Sequence, residues 1–250
     1  MSRPRVAAAR AHRRPSTLGV AVVTGGTRGL GEAIACALRD AGHDVVITGT
    51  SDAGPTPAGC ELVACDFTDD RAVDRLARTL GELEPRVLVN NAGINAIGPL
   101  ETYDPAEFAR LQQVNVTAPF RLCQAVVPAM RRNRFGRIVN ITSILGIVSK
   151  PGRSAYSASK SALAGLTRAL ALEVAADNVL VNCVAPGFVE TDLTRRVLGE
   201  AGIAATVPQI PIGRLARPDE IARCVRFLVS DENTYLTGQE LVVDGGFTCA

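Results

Sequence analysis

Three side chains able to hold or move a proton stand near one another in the middle of this 250-residue chain: Ser143, Tyr156 and Lys160. The chain has only two lysines, Lys150 and Lys160, and three tyrosines, Tyr103, Tyr156 and Tyr235, yet one of each falls four positions apart in SAYSASKSALAGL. Residues four apart share a helix face, so the Lys160 ammonium is expected beside the Tyr156 phenol. A free phenol titrates at about 10, and a neighbouring cation favours the phenolate, bringing the group towards the range useful for acid–base work near neutrality. By itself a Tyr-x-x-x-Lys spacing also describes many ordinary helix surfaces.

Ser143 closes the apolar run RIVNITS, at the carboxyl end of an expected strand, and precedes Tyr156 by a loop and a turn. Open α/β sheets bind ligands outside the carboxyl ends of their strands, which is where a hydroxyl would meet a substrate carbonyl. The bland alternative is a serine that ends a strand. Asn115 lies in the helical pattern LQQVNVTAPFRLCQAVV, with Pro119 four positions on. Proline has no amide hydrogen, so in an α-helix the Asn115 carbonyl loses its partner and is free to bind a water in contact with Lys160. A proline kink without such a use is the competing reading.

These groups need a frame. LGVAVVTG is a continuous apolar run suited to a buried parallel strand, and it leads through TGGTRGLG into an apolar helical face at Leu30, Ile34 and Leu38. Gly25, Gly29 and Gly31 allow a tight turn and close approach, while the amides at the helix start favour a pyrophosphate. An acid at the end of the next strand, HDVVITGTS, would bind ribose hydroxyls and repel a 2′-phosphate; the sequence has Gly49, then Thr50 and Ser51. With Arg28 in the glycine turn to meet that phosphate, NADPH is expected ahead of NADH, although nearby Asp52 offers a ribose partner. The stretch DAGPTPAGC, residues 52–60, has two prolines and two glycines and predicts a loop in place of a crossover helix. VLVNNAG, VLVNCVAPG and QELVVDGG read as further buried strands, separated by helical patterns such as SALAGLTRALALEVA.

In combination these motifs resemble the short-chain dehydrogenase/reductase family over residues 18–250. TGGTRGLG is similar to its TGxxxGxG, Asn90-Asn91-Ala92-Gly93 to its NNAG, Pro186-Gly187 to its PG turn, and Asn115, Ser143, Tyr156 and Lys160 to its catalytic tetrad. The resemblance implies that Ser143 orients a carbonyl, Tyr156 exchanges the proton, Lys160 lowers the phenol pKa and binds the nicotinamide ribose, and Asn115 holds a relay water. It also implies cofactor contacts from Gly25, Thr27, Arg28, Gly29, Leu30 and Gly31, from Thr50 and Ser51, and from the pair Asp66 and Phe67. Asn91, Ala92 and Gly93 belong to the same set, as do Pro186, Gly187, Val189 and Thr191. The expected fold is a single doubly wound α/β Rossmann domain with a mostly parallel, seven-stranded sheet, following an arginine-rich disordered tail at residues 1–17. Family members are mostly tetramers built on two long helices and the last strand, so a homotetramer is expected.

Composition narrows the partners. Lys and Arg total 27 against 25 Asp and Glu, a net charge of +2, which gives no electrostatic case for nucleic acid. Seven cysteines without a CxxC pair, several in apolar runs, read as buried thiols suited to a cytoplasmic protein, with neither a disulfide framework nor a metal site. Only His12 and His43 occur, which disfavours a histidine triad or zinc centre. No stretch is long enough to span a membrane. Residues 131–137, RRNRFGR, read as a solvated helix end and turn, or else as a surface for an acidic acyl carrier protein.

APGFVETDL, PIGRLARPDEIA and YLTGQELVVDGG resemble the 3-oxoacyl-carrier-protein reductases, and similar segments occur in sugar, polyol and secondary-alcohol dehydrogenases. Selectivity is expected at Asn95, Ala96, the loop ILGIVSKPGRS and residues 193–210, a lid with Gly199 and Gly202. The activity expected is NADPH-dependent reduction of a ketone, a 3-oxoacyl thioester or related β-keto compound. A secondary-alcohol, sugar or polyol dehydrogenase is the alternative, and a non-catalytic cofactor-binding regulator a third.

Overall fold

Side chains of the strand Val20–Val23 (β1) alternate between two apolar layers, Val20 and Val22 entering one and Ala21 and Val23 the other. That two-residue period is why the run shows no polar face: both sides are covered. The computed structural model describes residues 16–53 and 55–250, and in it β1 joins six further strands. They are β2 (Asp44–Gly49), β3 (Glu61–Ala64), β4 (Val87–Asn90), β5 (Gly136–Ile141), β6 (Val179–Pro186) and β7 (Glu240–Val243). The sheet order is β3-β2-β1-β4-β5-β6-β7, and each neighbouring pair is parallel. The seven-stranded, doubly wound sheet expected from the sequence is therefore present.

Helices α1 (Gly29–Asp40) and α7 (Pro218–Val229) cover one face through Ile34, Leu38, Ile221 and Val225. The other face carries α2 (Asp70–Leu83), α4 (Ala118–Arg132) and α5 (Ser154–Val174), through Leu76, Leu80, Leu122, Val126 and Val174. The chain also forms α3 (Pro105–Gln112) and α6 (Asp192–Thr206). The chain leaves β1 towards β3 and returns on the other side as β4, so the β1–β4 boundary is a topological switch point, where such sheets open a ligand crevice.

Among the described residues no helix joins β2 to β3, as the prolines of residues 52–60 predict. Arg39 of α1 reaches over instead and donates from Nη1 to the Ala58 carbonyl at 2.7 Å. The expected tail lies almost wholly on residues outside the described set. Ser16, within its expected bounds, already belongs to the fold: its N–H donates to Asp44 Oδ2 at 3.2 Å and its hydroxyl to the Gly42 carbonyl.

Two surface expectations change. Arg137 is not a solvated arginine: it is buried in β5, donates to the carbonyls of Gly136, Asn178 and Asn233, and stacks on Phe135. A strand side chain there points into the protein, where carbonyls at the loop ends take up both Nη groups and Nε is left without a partner. Its neighbours Arg131 and Arg134 pair with Asp177, and Arg132 with Glu84. All seven cysteines are free, but Cys249 is exposed, unlike the buried Cys65, Cys123 and Cys183. Among the described residues no helix is long and apolar enough to cross a membrane.

Candidate active site

The glycine turn between β1 and α1 is built by close approach. Gly25 and Gly29 have positive φ, +66° and +57°, which glycine adopts without strain. At Gly31 a Cβ would collide with the Gly25 carbonyl oxygen and lie 2.5 Å from Asn91 Nδ2. The turn is clamped from two strands. The Gly25 N–H donates to Thr48 Oγ1 and the Gly26 N–H to the Thr48 carbonyl, both at 3.0 Å. Thr24 Oγ1 accepts the N–H groups of Asn91 and Ala92 at 2.9 Å each, and Asn91 Nδ2 returns a 2.9 Å bond to the Thr24 carbonyl. Arg28, exposed at the N-cap of α1, makes no side-chain cap bond, which leaves the first amides of α1 to an anion.

At Gly49, where an acid would stand, a Cβ would come within 2.7 Å of Thr27 Cγ2. Thr50, Ser51 and Asp52 follow as exposed residues. The Phe67 ring is packed in the core, so an adenine contact from this residue is limited to its backbone; Asp66 instead caps its own turn through the Thr68 N–H and hydroxyl. On the far side, the Gly187 N–H is held by the Val243 carbonyl at 2.9 Å and Val189 bridges to Ala216. Thr191, N-cap of α6, lies with Cγ2 3.6 Å from where a Gly29 Cβ would stand, so this turn folds back onto the glycine turn.

The proton-handling residues converge beyond β4 and β5. Tyr156 and Lys160 share a face of α5, with Nζ 5.6 Å from the phenol ring centroid. Lys160 is buried, donates to the Ile141 carbonyl at 2.8 Å, and would lie 3.5 Å from a Cβ on Gly93. Burial pushes its pKa down to about 8. Ser143 follows β5, its Oγ accepting the Leu145 N–H at 3.2 Å. The expected lowering of the phenol by Lys160 is not found. Burial pushes Tyr156 above its ordinary value, and the opposing influences are the Ser143 hydroxyl and the Arg153 guanidinium. Desolvation outweighs both, so the resting phenol is held protonated.

Asn115 sits in a π turn, Gln113–Thr117, in which the Ala118 N–H donates to the Gln113 carbonyl five residues back. The wider turn differs from the regular helix expected and places Pro119 in the first turn of α4, where a missing donor is tolerated. The Asn115 side chain is fully buried. Its Oδ1 accepts the Ile94 N–H, and Nδ2 donates to the Ile94 carbonyl, both at 2.9 Å, and to Ser159 Oγ at 3.0 Å.

This geometry has close counterparts among known proteins. The chain matches the family model described as Enoyl-(Acyl carrier protein) reductase over residues 25–248. It is 39% identical over 237 residues to the 3-oxoacyl-acyl-carrier-protein reductase FabG of Escherichia coli (strain K12), covering 91% of this chain and 96% of that protein. The chain belongs to the short-chain dehydrogenase/reductase family. It is an NAD(P)-dependent oxidoreductase. Acetoacetyl-CoA reductase of Rhizobium meliloti is likewise 39% identical, over 91% of this chain and 97% of the relative. Among solved structures, a Beutenbergia cavernae protein described as an NAD(P) dependent gluconate 5-dehydrogenase, with bound NADP, superposes with a TM-score of 0.88. It is 35% identical and covers 94% of this chain and 98% of that one.

The residues present fit the dinucleotide that the family binds: the collision at Gly31 marks a backbone approach that a side chain would fill, and the turn has open amides beside it. Sequence reasoning missed several positioning groups of this short-chain dehydrogenase. Thr24 stood inside the quoted motif, and its role needs β4 brought alongside. A buried chain from Asn90 Nδ2 to Asn140 Oδ1 (2.8 Å) and from Asn140 Nδ2 to Thr167 Oγ1 (2.7 Å) docks α5 on the sheet. Asparagines inside apolar strand runs were the available signal, because buried polar side chains must find partners.

Proposed function

We propose that this protein is an NADPH-dependent carbonyl reductase acting on a ketone, a 3-oxoacyl thioester or related β-keto compound, with Tyr156 as general acid. The observation that carries this reading is the buried Lys160 on one helix face with Tyr156, beside Ser143 and against Gly93. The nicotinamide, when bound, supplies the hydride for the carbonyl carbon. Ser143 holds the carbonyl oxygen by its hydroxyl, and the protonated Tyr156 phenol gives that oxygen its proton. The Lys160 ammonium binds the nicotinamide ribose beside that phenol, and the Asn115 carbonyl holds the water that returns the proton. A phenol kept protonated by burial suits the reductive direction.

Preference for NADPH is supported by the crowding of Gly49 against Thr27 and by exposed Arg28, Thr50 and Ser51. Kinship with FabG and acetoacetyl-CoA reductase supports a thioester substrate, from acyl carrier protein or coenzyme A. The dehydrogenase neighbour favours the second reading, oxidation of a secondary alcohol or sugar. Large apolar side chains left exposed on the surface, Phe120 on α4, Leu172 on α5 and Leu241 on β7, support a homotetramer, which light scattering would size. Substrate segments 193–210 form a two-part helix broken at Gly199, φ +63°, consistent with a lid.

The decisive experiment is NADPH and NADH oxidation against 3-oxoacyl thioesters, free β-keto esters and keto sugars, with Tyr156→Phe as control. Thioester or β-keto turnover with NADPH that this substitution removes is the expected result. Turnover only of keto sugars, with NADH, would replace it with the second reading.

A further inference from the structure

One buried charge beside the reaction centre has no partner. Arg153 is 8% exposed and stands just before α5, three residues ahead of Tyr156. Its Nη1 is buried without a hydrogen-bond partner, and among the described residues no acid pairs with it. The ionisable side chain that acts on it is Tyr156. The place is a poor one for a cation, since the amino-terminal end of a helix carries partial positive charge. Nothing local offsets this: α5 has no acid in its first turn and no side-chain cap. A buried cation and open helix amides together favour an anion that the protein itself does not provide.

The surroundings bear this out. The Gly98 N–H donates to the Gly152 carbonyl at 3.1 Å, joining the loop of Arg153 to the segment after β4. The other cation of the loop, Lys150, is committed elsewhere, its Nζ 5.0 Å from the ring centroids of both Phe188 and Phe247. One free guanidinium matches a monoanion, and its planar fork pairs in register with a carboxylate.

We propose that Arg153 receives a carboxylate of the substrate, so that among the related β-keto compounds a 3-oxo acid is preferred to its neutral ester. Arg153 enters α5 three residues ahead of Tyr156, a spacing that suits a carboxylate about one or two carbons from the carbonyl at the phenol. The proposal rests on the carbonyl-reductase reading for its chemistry, but not for its binding.

Initial rates with NADPH on acetoacetate, methyl acetoacetate and an acetoacetyl thioester, for the native protein, Arg153→Gln and Arg153→Lys, test it. The native protein should favour the acid over the methyl ester by about tenfold or more in kcat/KM. Arg153→Gln should lower that ratio about 10- to 100-fold, chiefly through KM, and Arg153→Lys should restore part of it. A native ratio of one or less, or a ratio unmoved by Arg153→Gln, overturns the assignment. Calorimetry with butyrate and butyramide, on protein saturated with NADP+, separates binding from reaction. Tighter binding of butyrate, lost in Arg153→Gln, upholds the site even if no ketone is reduced, whereas equal binding overturns it whatever the turnover.

Discussion

The ammonium of Lys160 and the carbonyl of Ile141 are joined by a 2.8 Å hydrogen bond, which ties the reacting end of α5 to the last residue of β5. This bond keeps a buried charge in place without a carboxylate partner, and burial then brings its pKa down to about 8.

Stability should record that shift. Between pH 8 and the ordinary lysine range near ~10.4, the unfolded chain holds a proton that the folded chain has released, so this contribution to stability rises with pH. Below pH 8 both states are charged and the burial penalty stands in full. The native protein should gain on Lys160→Met by at most about 1.4 kcal/mol per pH unit across that window in denaturant titrations. The buried thiols, raised to about 11 or 12, cancel in the difference. A difference flat from pH 8 to 10 would show that the lysine is not perturbed.

Tyr156→Phe should lower kcat for reduction by at least about 100-fold, the scale of a lost general acid, and leave the Kd for NADPH within a few-fold. Stopped-flow turnover and fluorescence titration measure the two separately. Retained turnover would remove the phenol from the proton-donor role.

Arg28→Ala should weaken NADPH about 10- to 100-fold and NADH hardly at all, since only one carries a 2′-phosphate for a guanidinium to hold. Equal losses in the two Kd values would place Arg28 away from that phosphate.

Gly31→Ala inserts a methyl group against the Gly25 carbonyl and Asn91 Nδ2. Overpacking of this kind costs about 1–3 kcal/mol, and here it also shifts the turn that receives the pyrophosphate. We expect a lower Tm together with weakened binding of both nicotinamides, and an unaltered Kd would mean the turn relaxes without consequence.

Asn115→Leu removes three hydrogen bonds made by a buried side chain and strands the N–H and carbonyl of Ile94. A loss of about 2–4 kcal/mol is expected by urea unfolding, with turnover falling as the segment beside Gly93 moves. Stability within about 0.5 kcal/mol of native would contradict the bonding seen.

Much of this architecture was legible because parallel strands are covered on both faces. VAVV, VLVN and VLVNCVAP could only be buried runs, and the TGGTRGLG turn declared where the first of them ended. Tyr156 and Lys160 were legible because helix spacing alone makes them neighbours. The phenol pKa was not, since its direction depends on how much water the folded site excludes. Arg153 went unnoticed for the same reason: an arginine after a Pro-Gly turn reads as solvated until the segment from Asn95 to Gly98 is brought against it. The π turn was hidden too, because Pro119 signals a break in the helix but not its width.

A ribosome releases this site piecemeal. The glycine turn, Thr48 and Asn91 emerge before Tyr156 and Lys160, and the turn at residues 187–191 follows last. Until β5 arrives, the flank of β4 that it will cover presents unpaired amides and carbonyls, a template for misassociation in any slow-forming parallel sheet. A nascent chain paused after β4 therefore carries the glycine turn, Thr48 and Asn91 beside an adhesive edge.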